Sequence, residues 1–111
     1  MDKIDIGFQK AEEALKVAKL NLENKYYSAS INRSYYAVFY AAKALLLKKG
    51  KNPKKHSGTI AEFGLEYVIK DNFDKEISKI LSGLEEDREN ADYDFSFQST
   101  QEIARIDLKK C

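Results

Sequence analysis

The chain holds one cysteine, one proline, one histidine and five glycines in 111 residues, and each scarcity removes a class of protein. A lone Cys at the last position, Cys111, excludes an internal disulfide framework and any Cys-based metal cluster. No two His or Cys residues stand at ligand spacing, so neither a zinc site nor any other metal or cofactor is expected. No glycine-rich loop leads into a helix in the manner of a phosphate cradle. No apolar run approaches the roughly 20 residues of a membrane span. Met1-Asp2-Lys3-Ile4-Asp5 opens straight into amphipathic sequence, without the apolar core of a signal peptide. A soluble, cytoplasmic protein with no membrane attachment is therefore expected. Charge is nearly balanced, with Lys+Arg 19 against Asp+Glu 18, so binding to nucleic acid would have to come from a local patch rather than a global field.

What the chain does have is long helical periodicity. Its length suits one domain, residues 1–111, with a single core. From about Ile4 to Glu23, Phe8, Ala11, Leu15, Ala18 and Leu22 alternate three and four apart, and Asn24-Lys25 break the pattern. From about Tyr26 to Lys49 the apolar residues spread over most of the helix surface, which predicts a central element surrounded by partners. Ala37, Ala41, Ala42 and Ala44 would let its neighbours approach closely. Gly50 stands where a left-handed C-terminal residue is expected, and Asn52-Pro53 supports a turn. A third helix is predicted over roughly Ser57–Lys70. A fourth runs from an N-cap at Asp74 to between Arg88 and Ala91, followed by a connection over Asp92–Gln98. Ser99-Thr100-Gln101-Glu102 has the form of a capping box opening a last helix with Ile103, Ala104, Ile106 and Leu108. The expected fold is all-α: an up-and-down bundle of four main helices with a short additional C-terminal one.

Two arginines break the packing pattern. Ile77, Ile80, Leu81 and Leu84 define the buried stripe of the fourth helix, and Arg88 continues it one turn on. A guanidinium aimed at a core needs carboxylates or other acceptors around it. Arg88 is thus either a structural ion pair or the start of a site with Asp92 and Tyr93. Arg33, within the central helix, reads as a buried pair whose natural partners are Asp92 or Asp94. Deleting one member of such a pair strands a charge at roughly 3–5 kcal/mol.

The lone His56 lies in Lys54-Lys55-His56-Ser57, at the predicted start of the third helix. It is either a hydrogen-bonded helix-entry residue or a proton-transfer group brought in from a separate loop. Lysines 48, 49, 51, 54 and 55 form the one basic cluster, a solvated loop or a set of phosphate contacts. Tyr35, Tyr36, Phe39 and Tyr40 read mainly as core, with one exposed ring available for stacking.

Three blocks carry a family resemblance: Asn32-Arg33-Ser34-Tyr35-Tyr36-Ala37-Val38-Phe39-Tyr40-Ala41-Ala42-Lys43-Ala44-Leu45-Leu46, then Lys55-His56-Ser57-Gly58, then Arg88-Glu89-Asn90-Ala91-Asp92-Tyr93-Asp94. In this order they resemble HEPN domain proteins, in particular a small prokaryotic branch with an RxYYA…HSG…RxxADY pattern. The resemblance implies the bundle already described, a homodimer, and pairing with a minimal nucleotidyltransferase, often as a toxin–antitoxin system. In nuclease members it implies an Arg and a His a few residues apart that meet their dimer mates in a cleft. There they cleave RNA without metal, His moving the proton and Arg holding phosphate charge. Arg88 matches the motif Arg. The matching His is missing: Asp92 and Tyr93 fill the near positions, and neither Asp94 nor Phe95 replaces it. Tyr, with a reference pKa near ~10, is a poor proton shuttle at neutral pH.

The sequence therefore points away from an enzyme and toward a dimeric binding module for a nucleotide, RNA or a nucleotidyltransferase partner. Its candidate catalytic set is Arg88, Asp92 and Tyr93, and its candidate ligand-binding set is Arg33, Tyr36, His56 and Arg88. The alternatives are a metal-independent ribonuclease toxin using Arg88, with Asp92, Tyr93 or a displaced His56, and a purely structural helical subunit.

Overall fold

In the computed structural model, which describes residues 2–111, five helices follow one another and no strand occurs among the described residues. The first, α1, spans Lys3–Glu23, and its N-cap Asp2 accepts a hydrogen bond from the Asp5 N–H at 2.8 Å. Lys25, with φ 67°, makes the break expected at Asn24-Lys25. The second, α2, spans Tyr27–Lys48 and touches all the other helices, as its nearly all-round apolar surface requires. Gly50 (φ 73°) closes it: the N–H of Gly50 reaches Leu47 O and that of Lys51 reaches Leu46 O, both at 3.0 Å. This is the double bond pattern of a left-handed C-terminal cap. The close approach anticipated for the alanines is sharpest at Gly7. A β-carbon there would stand 3.0 Å from Cβ of Ala44.

The next segment departs from a single Ser57–Lys70 helix. Helix α3 covers His56–Phe63 and then widens into a π-helical turn over Gly64–Ile69. Anchors from α2 hold the widened turn. The Tyr67 hydroxyl donates to Leu45 O. The Lys49 ammonium lies 4.3 Å from the Tyr67 ring centre, donates to Glu66 O, and pairs with Asp71 at 2.8 Å. These contacts come from another helix, so periodicity along the segment itself could not register them.

Helix α4 runs Lys75–Tyr93 from the expected N-cap, Asp74, which accepts from the Glu76 N–H at 3.0 Å. It continues past its expected end, so Asp92 and Tyr93 are helical rather than part of a connection. Asp92 is thereby one turn beyond Arg88, on the same face. Helix α5 spans Gln101–Lys110, and its cap is Thr100, whose hydroxyl accepts from the Ile103 N–H at 3.2 Å. The expected box at Ser99 is thus shifted by one residue and lacks its reciprocal acid; Ser99 bonds Ser28 instead, hydroxyl to hydroxyl at 2.8 Å. In α5 Ala104 and Asp107 are buried while Ile106 is 47% exposed. Positions 104, 107, 108 and 111 share one face at helical spacing, and 106 points away from it.

The core gathers Tyr35, Phe39, Leu46, Phe63, Tyr67, Leu81 and Leu84 between α2, α3 and α4. Arg88 follows the last of these on the α4 stripe. No helix among the described residues is long and apolar enough to cross a membrane.

Candidate functional site

The α4 stripe that buries Leu81 and Leu84 carries Arg88 inward, to 8% exposure. Its guanidinium donates to Oε1 of Glu85, one turn earlier, and lies 3.6 Å from Glu89 Oε1 and 3.8 Å from Asp92 Oδ2. It also faces the rings of Tyr35, 5.2 Å away, and Tyr36, 6.0 Å away. Helical spacing supplies Glu85 and Asp92, at i−3 and i+4, and Glu89 reaches in from the next position, so the charge is neutralised within one helix. Its Nε is buried without an acceptor.

From Glu85 the network turns toward α3. Glu85 Oε2 lies 3.6 Å from His56 Nδ1, and the Tyr35 hydroxyl lies 2.7 Å from the same nitrogen. The imidazole stacks flat on Phe39, centroids 4.3 Å apart, which fixes its orientation. Starting α3 at His56 brings the lone His against α2 and α4 through side chains distant in sequence. In the other direction, Asp92 Oδ2 accepts from Asn32 Nδ2 at 2.9 Å, and Asn32 Oδ1 accepts from Arg33 Nε at 2.9 Å. The Arg33 guanidinium also approaches the network's aromatic edge, 4.8 Å from the Tyr36 ring centre.

The electrostatics follow from this enclosure. Burial pushes the Tyr35 phenol far above its ordinary range, and Glu85 adds to the rise. Burial also raises Tyr36, with Arg88 opposing. For Glu85, burial pushes up, but hydrogen bonds with Tyr35, Glu89 and Arg88 outweigh it and leave the carboxyl below the usual range. Burial alone would lower Arg88; bonding and charge from Glu85 raise it instead. Glu89 rises because it shares a hydrogen bond with Glu85 and is repelled by it. Chemically this is a fixed cation–carboxylate pair joined to a phenol–imidazole pair.

Arg88, Asp92, Tyr36, Arg33 and His56 therefore lie in one continuous assembly. Tyr93 is 74% exposed at the end of α4 and makes no hydrogen bond in it among the described residues. Among the described residues Arg33 does not pair with a carboxylate: Asn32 stands between it and Asp92, and Asp94 instead accepts from the Ser96 hydroxyl at 2.6 Å and the Ser96 N–H at 2.9 Å. Of the basic cluster, Lys49 is committed to Asp71 and Glu66, while the lysines at 48, 51, 54 and 55 remain exposed. Sequence reasoning missed Glu85, Asn32 and Tyr35 as members. Glu85 was within reach, since it precedes Arg88 by three positions of the same helix.

An Arg-bearing α4 packed on the Tyr-rich α2 brings the first and third sequence blocks together, and the His of the second block joins them from α3 rather than from the segment that carries Arg88. The HEPN domain profile matches residues 6–111, and the chain belongs to the HEPN family. A Methanocaldococcus jannaschii protein named "Putative toxin" is 42% identical over 96 residues, 86% of this chain and 72% of that protein. A second from the same organism, also named "Putative toxin", is 35% identical over 102 residues, covering 92% of this chain and 69% of its own length. A Thermotoga maritima protein named "UPF0332 protein" is 42% identical over 90 residues, 81% of this chain and 68% of that one.

Proposed function

We propose that the chain is a toxin-like HEPN module that binds rather than cuts: a homodimer that engages a nucleotide, RNA or a nucleotidyltransferase partner. The observation carrying this reading is the state of Arg88, enclosed to 8% exposure and bound by Glu85 of its own helix. A phosphate-holding arginine must offer its charge to the ligand, whereas this one is already neutralised. In this reading Arg88 fixes Glu85, Asp92 and the Tyr35–Tyr36 edge from behind. Arg33, Tyr36 and His56 face the ligand, and Tyr93 offers an exposed ring and hydroxyl at the end of α4. The Methanocaldococcus relatives named "Putative toxin" support the toxin-like part of this reading, and the toxin–antitoxin setting belongs to the proposal.

Purified protein incubated with RNA and with a co-expressed minimal nucleotidyltransferase tests the reading. We expect a dimer by light scattering, a stable complex with the partner, and intact RNA. RNA cleavage abolished by Arg88→Lys, with the melting temperature unchanged, would overturn it.

One observation favours a second reading. His56, from α3, lies 3.6 Å from the carboxylate that holds Arg88, so an imidazole does stand near the motif Arg without belonging to its helix. In a metal-independent ribonuclease it would move the proton, and His56→Ala would then abolish cleavage while leaving RNA binding intact.

A further inference from the structure

Arg33 and Arg88 flank the same tyrosine, yet only one is neutralised. Arg88 has three carboxylates within 4 Å; among the described residues Arg33 has none, and neither has Lys10. The Asn32 contact uses only Nε of Arg33. Both free cations line one cleft of about 290 Å³ between α1 and α2, with Tyr40, Val17, Ala14 and Glu13. The Lys10 ammonium lies 5.9 Å from the Tyr40 ring centre. On the other side of Tyr40 a second cleft, of about 260 Å³, shares Lys10 and adds Lys43 and Lys3. Four cations thus border two adjoining clefts with an aromatic ring between them, and Glu13 is the one acid lining either.

We propose that this α1–α2 seam is a phosphate-binding site, in which Arg33 and Lys10 grip one phosphoryl group beside the Tyr40 ring and Lys43 with Lys3 receive the next. A planar fork with free N–H groups, a second cation and a ring to stack on are the elements by which nucleotide phosphates are held. The phosphates could be carried by a mononucleotide or by successive links of a single strand; the chemistry at Arg33 is the same. Arg33 to Lys43 is ten residues of helix, about 15 Å at the helical rise, room for more than one phosphate. The inference rests on the function proposed above for the nucleotide-type ligand and for Arg33 as a ligand-facing group, and needs neither the dimer nor the partner protein.

Binding of AMP, adenosine, inorganic phosphate and a hexa-adenylate RNA to the purified chain, followed by amide chemical shifts at several salt concentrations, tests it. We expect shifts along the seam with AMP and none with adenosine. Arg33→Gln combined with Lys10→Gln should weaken binding at least tenfold, while Lys54→Gln with Lys55→Gln in the α2–α3 loop leaves it unchanged. A hexamer binding more than tenfold tighter than AMP, with affinity falling steeply with salt, assigns the site to a strand backbone; equal affinities assign it to a terminal phosphate. Should the Arg33 variant melt early, Lys10→Gln with Lys3→Gln, both exposed, reads the same site. Unchanged binding in the folded double variants, or adenosine binding as well as AMP, would overturn the proposal. Binding that persists in Arg88→Ala, provided that variant is folded, separates the seam from the Arg88 network.

Discussion

Arg88 and Asp87 are neighbours on α4, and each looks onto a buried ionisable arrangement of opposite design. Arg88 is enclosed with acids on three sides and two aromatic faces above it. Asp87 faces Asp107 of α5, which is fully buried, and neither oxygen of Asp107 has a hydrogen-bond partner within ordinary range. The nearest cation, Lys110, lies 4.0 Å away on its own helix. From α2 the nearby Ser34 carbonyl meets the Cys111 thiol at 3.3 Å, while Glu12 of α1 borders the groove that holds Lys110. Burial first, and then the Asp87 carboxyl that faces it, push the Asp107 carboxyl up to about 7. One interior keeps its charge by surrounding it with counter-charge; the other keeps a carboxyl by letting it hold its proton up to about pH 7.

The comparison breaks first at Arg88. Arg88→Ala strands Glu85 beside a buried phenol, and we expect a loss of roughly 3–5 kcal/mol in urea unfolding; a loss under about 1 kcal/mol would mean that the network is ornamental to the fold. Asp107 gives the next largest effect, and its sign is opposite to that of an ordinary paired acid. Its folded value stands above the ordinary 3.8, so its contribution is complete below that pH and fades as pH rises toward 7, then levels off. Unfolding at pH 5 and pH 7.5 should differ by roughly 2–3 kcal/mol in favour of the lower pH, and Asp107→Asn should flatten the difference. Tyr35→Phe removes the hydroxyl that contacts His56 Nδ1 and should cost about 1–3 kcal/mol, with displaced His56 ring resonances by NMR as its signature. Thr100→Ala, which loosens only the cap of the helix carrying Asp107, should cost about 1 kcal/mol and leave the Arg88 network's shifts unmoved.

Much of this was readable in the sequence because it is periodic. The apolar surface of Tyr27–Lys48 announced its central place, Gly50 its end, and the Ile77–Leu84 stripe the inward course of Arg88. Features set by a second segment were not readable. The π-helical turn at Gly64–Ile69 depends on Lys49 and on the Leu45 carbonyl, and the route from Arg33 to Asp92 depends on Asn32. Asp107 escaped notice because the eye takes Ile106 for the inward residue, although one turn from Ala104 leads to position 107 or 108. Within the site, helical spacing could place Glu85 and Asp92 about Arg88, but only the packing of three helices could bring His56 to Tyr35.

Gly7 gives the seam between α1 and α2 its gauge. Because Gly7 has no side chain of its own to act as a spacer against the Ala44 methyl, the distance from Lys10 on one helix to Tyr40 on the other is dictated by this close approach. A methyl group at position 7 is a wedge 3.0 Å from its stop, so it would pry the helices apart just where the cations line up. The smallest residue in the first helix thus works as a calibration piece for groups a full turn away.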